Sequence, residues 1–291
     1  MKRAKINKII KFSNVDGPGN RMSIFFQGCN YNCLYCHNPE TINKCNSCGV
    51  CIDSCSVGAL STVDSKVSWD KKICVECDRC TEICMIDSSP KTIDYSVGEL
   101  LEEIKKVSGF IRGITVSGGE ATLNYEFITE LFREVKKLGL TTFVDTNGSL
   151  DLGENIYSEF IQITDKFMVD MKVWDERTHR DLTGTDNLIV SKNIEFLGKL
   201  GKLYEVRTVI VPRLLDNIET VDRLSCLIRE INSKNQWNED IIYKLIKYRQ
   251  IGVRKEILEE EFLGIGSPTD EVMEELSKLA RGNGVEKVII I

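Results

Sequence analysis

From Ser96 onward, hydrophobic residues alternate between short β-branched runs and longer stretches with helical spacing. This alternation is typical of consecutive strand–helix units and predicts a parallel sheet covered by helices. We expect six such units, the first beginning at Met22, preceded by a short strand and a tight turn within 5–20. The predicted strands are 22–27, 113–116, 141–144, 166–173, 204–211 and 241–248, with a closing strand at 285–291.

Several helix boundaries have local signals in the sequence. Ser96 and Glu99 have the spacing of a capping box, and Gly139 and Gly201 are placed to end helices. Pro268 is expected in the first turn of the last helix, where its missing N–H is tolerated. The other predicted helices cover 125–138, the region near 152–162, 187–200 and 217–231.

Unusual polar residues stand where the predicted strands end. In parallel sheets the chemistry gathers at the carboxyl ends of the strands, because neighbouring strand ends meet there. We therefore expect one site at this edge. Its candidate members are the cysteine loop 29–36, Gly118, Gly119, Glu120, Asp145, Thr146, Asp170, Lys172 and Arg207.

Residues 41–92, called the insert below, differ in composition from the rest of the chain. They contain eight cysteines, few large aliphatic residues and only short runs between turns. A segment of this size cannot build much of a core alone, so metal clusters are expected to hold it together. The predicted organisation is one domain formed by 1–40 and 93–291, with a second domain inserted at 41–92.

Composition and charge exclude several classes of function. Of the 291 residues, 42% are hydrophobic and 28% are charged, as in ordinary globular proteins. The formal charge of -6 argues against a nucleic-acid partner. No apolar stretch approaches the roughly 20 residues of a membrane span, and no signal-type apolar region follows the basic residues 1–5. We expect a cytoplasmic protein without nucleic-acid or membrane partners.

The twelve cysteines indicate metal clusters rather than disulfides, because the cytosol keeps thiols reduced. Cys29, Cys33 and Cys36 have a C-x3-C-x2-C spacing. A cubane Fe–S cluster takes four thiolates, so three close thiols leave one iron open to a substrate or cofactor. A cysteine-rich loop or a partial zinc site is the alternative interpretation. Cys226 stands alone and is expected to be a small core residue.

Two runs of four cysteines in the insert share the C-x2-C-x2-C-x3-C spacing of bacterial two-cluster ferredoxins. In that arrangement the fourth cysteine of each run ligates the other cluster. A pair of zinc sites is the alternative, but zinc does not need the third and fourth cysteines at fixed offsets. We expect two cubanes that carry electrons to the open cluster. Their ligands would be Cys45, Cys48, Cys51 and Cys84 for one, and Cys74, Cys77, Cys80 and Cys55 for the other.

An iron with a free position can chelate the amino and carboxylate groups of a small molecule, and the strand-end residues suit S-adenosylmethionine (SAM). Gly118 and Gly119 allow close backbone approach. Glu120 can accept a hydrogen bond from an ammonium group, and Arg207 can pair with a carboxylate. Tyr35 lies inside the cysteine loop, where it can contact the adenine.

Structural alternatives exist for these residues. Two glycines at a strand end often form only a turn, and Asp170 with Lys172 has the spacing of an ion pair on one strand face. Arg207 can likewise be an ion-pair partner. His37 is placed to hydrogen-bond a cluster sulfur, whereas His179 is expected on the surface. With two histidines in the chain, general acid–base catalysis by histidine is not indicated.

Through these motifs the chain resembles radical SAM enzymes, and more closely the glycyl-radical-enzyme activating enzymes. It is most similar to the YjjW-type branch, which has a two-cluster ferredoxin-like insert. The resemblance covers nearly the whole chain and implies an α/β fold, a partial (βα)6 TIM-like barrel with a small inserted domain. The motifs that carry it are VDGPGNR at 15–21, QGC at 27–29, CHNPE at 36–40, VSGGEAT at 116–122 and VDTNG at 144–148.

The resemblance implies an oxidoreductase with three [4Fe-4S] clusters and bound SAM. Flavodoxin or ferredoxin would deliver one electron, and the reduced open cluster would cleave SAM to methionine and a 5′-deoxyadenosyl radical. That radical would abstract a hydrogen from the α-carbon of a glycine in a partner glycyl radical enzyme. The cofactor supplies the difficult chemistry and the protein supplies orientation. A monomer is expected.

The resemblance also implies roles for individual residues. Gly118, Gly119 and Glu120 would bind the methionyl amino group, and Lys172 and Arg207 would make further contacts with SAM. Four positions match those that hold a monovalent cation beside the SAM carboxylate in a family member. These are Asp145, Thr146, Met168 and Asp170.

The chain departs from the family pattern at two places. Arg249 stands where the family often has a histidine after an aromatic residue, and the turn at 209–213 reads VIVPR in place of VIPG. Two other functions stay open at this point. One is a radical SAM enzyme that acts on a small molecule or another peptide residue, and the other is an iron–sulfur electron-transfer protein. An electron carrier needs no open iron, so the three-cysteine loop speaks against it.

Overall fold

The computed structural model describes residues 2–234, 236–237, 239–260 and 264–291. Within them the chain forms one large mixed sheet and one separate hairpin. The strands are β1 (Arg3–Ser13), β2 (Arg21–Phe26), β3 (Leu60–Val63), β4 (Lys66–Trp69), β5 (Ile93–Ser96), β6 (Gly113–Gly118), β7 (Thr141–Thr146), β8 (Lys166–Asp170), β9 (Leu203–Ile210), β10 (Ile242–Lys247) and β11 (Val288–Ile290).

The large sheet has the strand order β11-β10-β9-β8-β7-β6-β2-β1-β5. Strands β2 and β6 to β11 pair in parallel, while β1 pairs antiparallel with both β2 and β5. The six predicted strand–helix units are therefore confirmed, and the closing strand extends the parallel order. The expectation of a short first strand was wrong, because β1 has 11 residues and is held between two neighbours.

Helices connect the parallel strands and cover the sheet. The capping box at Ser96 is present, with Glu99 bonded back to the cap. Pro268 lies before the last helix, because the cap of that helix is Thr269. The region near 152–162 is a 3₁₀ turn, Asn155–Tyr157, followed by a short helix. The helices are α1 (Arg79–Glu82), α2 (Val97–Lys105), α3 (Tyr125–Lys137), α4 (Ser158–Ile163), α5 (Glu176–Thr183), α6 (Leu188–Lys199), α7 (Asn217–Lys234), α8 (Lys255–Glu260) and α9 (Asp270–Gly282).

The two faces of the parallel strands carry different residues. Met22, Ile24 and Phe26 of β2 are fully buried in one hydrophobic cluster with Leu100 and Ile104 of α2. Because side chains alternate along a strand, the intervening positions face the opposite side. On that inner face the buried positions are largely polar, which an aliphatic core would not tolerate without partners. Examples are Ser23, Thr115, Glu205 and Lys244.

Arg21 closes the amino-terminal end of this polar inner face. Its guanidinium is 1% exposed and donates to the Thr115 and Thr141 hydroxyls and to the Ile114 carbonyl. It also lies over the Phe143 ring, 4.1 Å from the centroid. Burial lowers the pKa of Arg21 to about 10, which leaves the group charged at neutral pH. Hydrogen bonds and a π contact therefore replace water around a buried cation.

Residues 43 and 87–88, called the neck below, lie side by side near the two ends of the insert. Asn43 donates from its backbone to the Asp87 carbonyl at 3.0 Å and forms an isolated bridge with Ser88. Between these points lie the β3–β4 hairpin and the single-turn helix α1. In the described part of the chain no helix is long and apolar enough to cross a bilayer.

The junction of β2 and β6 generates a testable prediction about Gly118. This residue has φ +125°, and a Cβ atom there would lie 2.2 Å from the Phe26 nitrogen. We expect Gly118→Ala to destabilise the reconstituted protein by about 3 kcal/mol or more, because overpacking and positive φ each cost ~1–3 kcal/mol. Gly139→Ala is the matched control, since Gly139 has φ +72° but nothing within 4 Å. Urea unfolding midpoints measure the difference, and equal shifts for both variants would contradict it.

Candidate active site at the strand ends

The cysteine loop after β2 is held by the last turn of α5. The backbone N–H of Asn32 donates to the Thr183 carbonyl at 2.9 Å, and that of Leu34 donates to Leu182 at 3.0 Å. Carbonyls in the last turn of a helix have no partner within the helix, so they are free to accept these bonds. The loop therefore adopts its shape without regular secondary structure of its own.

His179 of α5 is fully buried, so its predicted place on the surface was wrong. Its Nδ1 donates to the Thr185 carbonyl at 2.7 Å, and its ring packs edge-on against Tyr31 with centroids 5.6 Å apart. Burial lowers the pKa of His179, which favours the neutral ring. The polar sequence around it gave no sign that the inner side of α5 packs on the cysteine loop.

The three thiols of the loop are largely shielded from solvent. Burial raises the pKa of Cys29 to about 12 and that of Cys33 to about 11, and it also raises the pKa of Cys36. The thiolate is the form that ligates metal, so positive charge from iron would have to offset this burial. Among the residues that the structure describes, no three His, Cys, Asp or Glu side chains gather around one point as ligands of a single ion would.

Glu120 joins the loop to the ends of β6 and β7. Its backbone N–H donates to the Gly28 carbonyl at 2.8 Å. Its buried carboxylate accepts from the Thr122 hydroxyl, the Thr146 hydroxyl at 2.8 Å and the Asn147 backbone at 2.7 Å. Burial raises the pKa of Glu120, while these hydrogen bonds act in the opposite direction. The carboxylate thus has a structural role that the sequence did not indicate.

Asn147 is a second residue of this site without a role in the sequence predictions. Its side-chain amide lies 3.9 Å from the Cys29 sulfur and donates to the Asn30 side chain at 3.1 Å. Amide donors near a cluster sulfur tune its potential and fix the ligand. The sequence feature that could have indicated a role for Asn147 is its position directly after Asp145 and Thr146, at a strand end.

Gly118 and Gly119 let the end of β6 pass close to the cysteine loop. A Cβ at Gly119 would lie 2.3 Å from the Gly28 carbonyl oxygen and 2.7 Å from that of Thr41. The Gly119 N–H donates to the Phe26 carbonyl at 3.0 Å. Both glycines are therefore required by chain packing, whatever they bind in addition.

Arg207 of β9 lies on the inner face of the sheet among carboxylates. It contacts Asp145 at 3.0 Å, the Met168 sulfur at 3.0 Å and the Glu205 carboxylate. Lys244 holds the other oxygen of Glu205 at 2.7 Å. Strand register explains the grouping, since β7, β8, β9 and β10 place these positions in adjacent rows. Arg207 itself lies within its strand, opposite the last residue of β8, and not at the strand end.

The predicted cation-site residues are only partly brought together. Asp145, Met168 and Asp170 share the inner face, whereas the hydroxyl of Thr146 turns away to Glu120. Burial raises the pKa of Asp145 to about 6, although the Arg207 guanidinium opposes that shift. The Asp145 carboxylate already accepts from Arg207 and from Ser117 at 2.9 Å, so the cation site stays a prediction.

Lys172 lies near the cysteine loop and interacts electrostatically with Cys33 and Tyr35. Strand β8 ends at Asp170, so Lys172 lies in the following loop and not on the strand as predicted. Its ammonium nonetheless contacts the Asp170 Oδ2 at 2.6 Å. Burial acts to lower the pKa of Lys172, but Asp170, Tyr35 and Cys33 outweigh burial and hold this pKa well above its ordinary value. The ammonium group therefore stays charged.

Three residues that interact electrostatically with Lys172 have unpartnered polar atoms. Within the described residues, the buried Asp170 Oδ1 and the buried hydroxyls of Tyr31 and Tyr35 have no hydrogen-bond partner. Buried polar atoms are normally satisfied, so these indicate a polar ligand in the holo protein. SAM fits this set, because it offers an ammonium, a carboxylate and an adenine amine.

The segment after β10 covers the end of the cysteine loop. His37 donates from Nε2 to the Arg249 carbonyl at 2.8 Å, and its ring lies 6.4 Å from that of Tyr248. Gly252 approaches so closely that a Cβ would lie 2.1 Å from the His37 carbonyl oxygen. The Arg249 side chain is exposed, so this position contributes its backbone to the loop and not a ring to the site wall.

Arg254 ties three parts of the chain together and was not predicted. One guanidinium nitrogen contacts the Asn32 side chain at 2.9 Å and Asp87 at 2.8 Å, and the other donates to the Cys33 carbonyl at 3.2 Å. Asp87 belongs to the neck of the insert. No local pattern could reveal this, because the contacts span more than 160 residues of sequence.

The insert brings several of its predicted ligands close together. Cys55, Cys74, Cys77 and Cys80 line one cleft, which matches one predicted ligand set in full. The Cys51 thiol interacts electrostatically with Cys80, Cys45 and Cys48, and its burial raises its pKa to about 11. Cys84 follows α1 and is half-buried. Four thiols that line one cleft are compatible with [4Fe-4S] ligation. Cys226 is half-buried on α7, outside the insert.

Comparison with known proteins is consistent with this geometry. Residues 23–224 match the family model described as the radical SAM superfamily. A Haemophilus influenzae protein, provisionally named a glycyl-radical enzyme activating enzyme, is 30% identical over 98% of this chain and 96% of its own. The pyruvate formate-lyase 1-activating enzyme of Escherichia coli K12 is 27% identical over 96% of both chains. The 4-hydroxyphenylacetate decarboxylase activating enzyme of Clostridioides difficile CD196 is 28% identical, over 94% of this chain and 92% of its own.

Solved structures with low sequence identity share the fold. QueE from Escherichia coli superposes with a TM-score of 0.55 at 13% identity, over 99% of this chain and 94% of its own. Streptococcus suis SuiB gives a TM-score of 0.56 at 12% identity, over 92% of this chain and 47% of its own. At such identities the likeness concerns the α/β fold with its mostly parallel sheet.

The contacts of Arg254 generate a prediction about the cysteine loop. We expect Arg254→Met to speed amide hydrogen exchange at 32–36 by about tenfold or more, because hydrogen bonds to charged groups contribute ~1.5–3 kcal/mol. Arg133→Met is the matched control, since among the described residues Arg133 pairs only with the exposed Glu159 on the helical surface. Hydrogen-exchange mass spectrometry measures both, and equal protection of the loop in the two variants would refute the assignment.

Proposed function

The chain belongs to the radical SAM superfamily and, within it, to the glycyl-radical enzyme activating enzymes, and from this premise we propose the reaction that its site supports. It is an oxidoreductase-type enzyme that uses SAM. Its proposed substrate is a glycine of a partner glycyl radical enzyme, which relatives with the same full-length similarity are named for activating. The observation that most directly supports this proposal is the three-thiol loop, which Glu120 and Asn147 hold at the strand ends.

Cys29, Cys33 and Cys36 would hold the open [4Fe-4S] cluster. When it is bound and reduced, this cluster supplies the electron that cleaves SAM to methionine and a 5′-deoxyadenosyl radical. The protein would keep the thiols fixed and shielded, since α5 holds the loop backbone and its His179 packs against Tyr31 of the loop. Exclusion of water protects a reactive intermediate from side reactions.

The polar atoms around Lys172 would orient SAM. Gly118 and Gly119 offer backbone at the methionyl amino group, with Glu120 behind them fixing their position. Lys172 and Arg207 supply positive charge for the carboxylate, and Tyr35 is proposed to contact the adenine. A monovalent cation would be shared by the carboxylates of the inner face and by the neighbouring strand-end groups. Its proposed ligands are the side chains of Asp145, Met168 and Asp170, and Thr146, whose hydroxyl bonds to Glu120, would contribute its backbone carbonyl.

The insert is proposed to be a ferredoxin-like domain with two further [4Fe-4S] clusters, for three in all. The complete set of four cysteines in one cleft supports this. One set would be Cys45, Cys48, Cys51 and Cys84, and the other Cys74, Cys77, Cys80 and Cys55. Flavodoxin or ferredoxin would be the reductant. We propose that the chain belongs to the YjjW-type branch and acts as a cytoplasmic monomer.

The assignment of a protein glycine as substrate is tested by an anaerobic assay. The reconstituted enzyme, reduced and mixed with SAM and a candidate glycyl radical enzyme, is expected to produce a glycyl radical. The radical gives a doublet in the EPR spectrum, and 5′-deoxyadenosine forms with it. 5′-Deoxyadenosine without a doublet from any candidate partner would indicate a different radical SAM substrate. Absence of both products would indicate an electron-transfer protein.

Single cysteine variants separate the three proposed clusters. Cys33→Ala is expected to reduce SAM cleavage by about 100-fold or more, since even outer changes at metal sites cost ~10–100-fold. Cys48→Ala should retain measurable cleavage with a chemical reductant, because only an insert cluster is affected. Cys226→Ala is the control and should keep full iron content. Iron analysis and 5′-deoxyadenosine yield are the measurements, and equal total loss in C33A and C48A would contradict separate roles.

A further inference from the structure

The cleft lined by Cys55, Cys74, Cys77 and Cys80 contains about 340 Å³ of empty space, open in part to solvent. These four thiols are the ligands of one proposed [4Fe-4S] cluster, so this inference rests on the proposed function. Much of the remaining lining is apolar, and such a shell limits solvent access and influences the potential of a cluster. The apolar lining residues are Val57, Ala59, Leu60 and Val75.

Three side chains with N–H donors interrupt this apolar lining, those of Trp69, Lys91 and Arg79. Arg79 is exposed, whereas Trp69 and Lys91 are partly buried. The indole of Trp69 lines the cleft, and its Nε1–H is buried without a hydrogen-bond partner among the described residues. The ammonium of Lys91 lines the same cleft, and its side chain is only 16% exposed. A buried N–H without an acceptor is rare, which points to an acceptor in the loaded protein. Cluster and thiolate sulfurs are the acceptors that this cleft would offer.

We propose that Trp69 and Lys91 raise the reduction potential of the cluster held in this cleft by stabilising its reduced form. One electron from a low-potential protein reductant changes the net charge of a cubane with four thiolates from -2 to -3, and no bond is made or broken. A hydrogen-bond donor and a cation both favour the more negative state. Hydrogen bonds to sulfur, net charge and exposure are the means by which proteins set such potentials.

Asp78 provides the opposing charge in the same cleft. Its carboxylate forms an ion pair with Lys91, so it weakens the effect of the ammonium group. Its side chain is 63% exposed, and solvent screening therefore makes its effect the smaller one. Its backbone is left-handed, with φ 59°, a conformation that asparagine accepts readily. Asp78→Asn is thus a change of charge with little change of shape.

The test uses the full chain carrying Cys29→Ala, Cys33→Ala and Cys36→Ala, so that only insert clusters contribute to the spectrum. About eight irons per chain are expected, four for each cubane. An EPR-monitored redox titration should then resolve two reduction steps. Trp69→Phe and Lys91→Met are expected to move one step to lower potential, and Asp78→Asn to move the same step upward. The other step is the internal control, and Lys91→Arg should restore most of the Lys91→Met shift.

Several results would overturn the proposal. One is that W69F and K91M, at full iron content, leave both reduction potentials unchanged. Another is that a variant shifts both potentials equally. A third is that K91M and D78N shift the potential of the step in the same direction. If W69F loses iron, the opposite shifts in reduction potential expected for K91M and D78N still test the proposal. Binding of fewer than about eight irons would refute the cluster assignment of the cleft. A glycyl radical assay that fails in the intact enzyme would refute the proposed substrate but would leave these potentials unchanged.

Discussion

One buried carboxylate, that of Glu120, fixes the geometry on which the site depends. Its backbone bonds to Gly28 before the cysteine loop, and its side chain accepts from Thr146 and Asn147 after β7. Asn147 then reaches the Cys29 sulfur. A buried carboxylate is costly unless its oxygens are paired, so each of these bonds favours the others. The ends of β2, β6 and β7 are in this way held in one arrangement before any ligand binds.

The fold and the location of the site were predictable because both follow from periodic patterns. Strand–helix alternation determined the parallel order, and parallel order brings the carboxyl ends of strands to one edge. The cysteine loop, Gly118-Gly119-Glu120, Asp145 and Asp170 accordingly converge. The four thiols of one predicted ligand set in the insert line one cleft, and their role as cluster ligands stays a prediction.

Other features could not be predicted, because they depend on contacts between distant segments. Arg254 reaches Cys33 and Asp87 only after the chain has folded. His179 is buried because α5 packs on the cysteine loop, although its neighbours in sequence are polar. Glu120 was expected to face a ligand, but its carboxylate oxygens accept hydrogen bonds from residues at the strand ends. The residue type limits the chemistry of a side chain, but its contacts in the folded protein determine its role.

The central claim is that the three-cysteine loop holds a cluster whose open iron binds SAM. The most direct measurement is electron–nuclear double resonance on the reduced cluster with SAM labelled at the amino nitrogen and carboxylate oxygen. We predict hyperfine coupling to both labels in the intact protein, and the same coupling in protein whose insert cysteines are replaced. A reduced cluster in the three-cysteine loop that shows no coupling to either label would contradict the account.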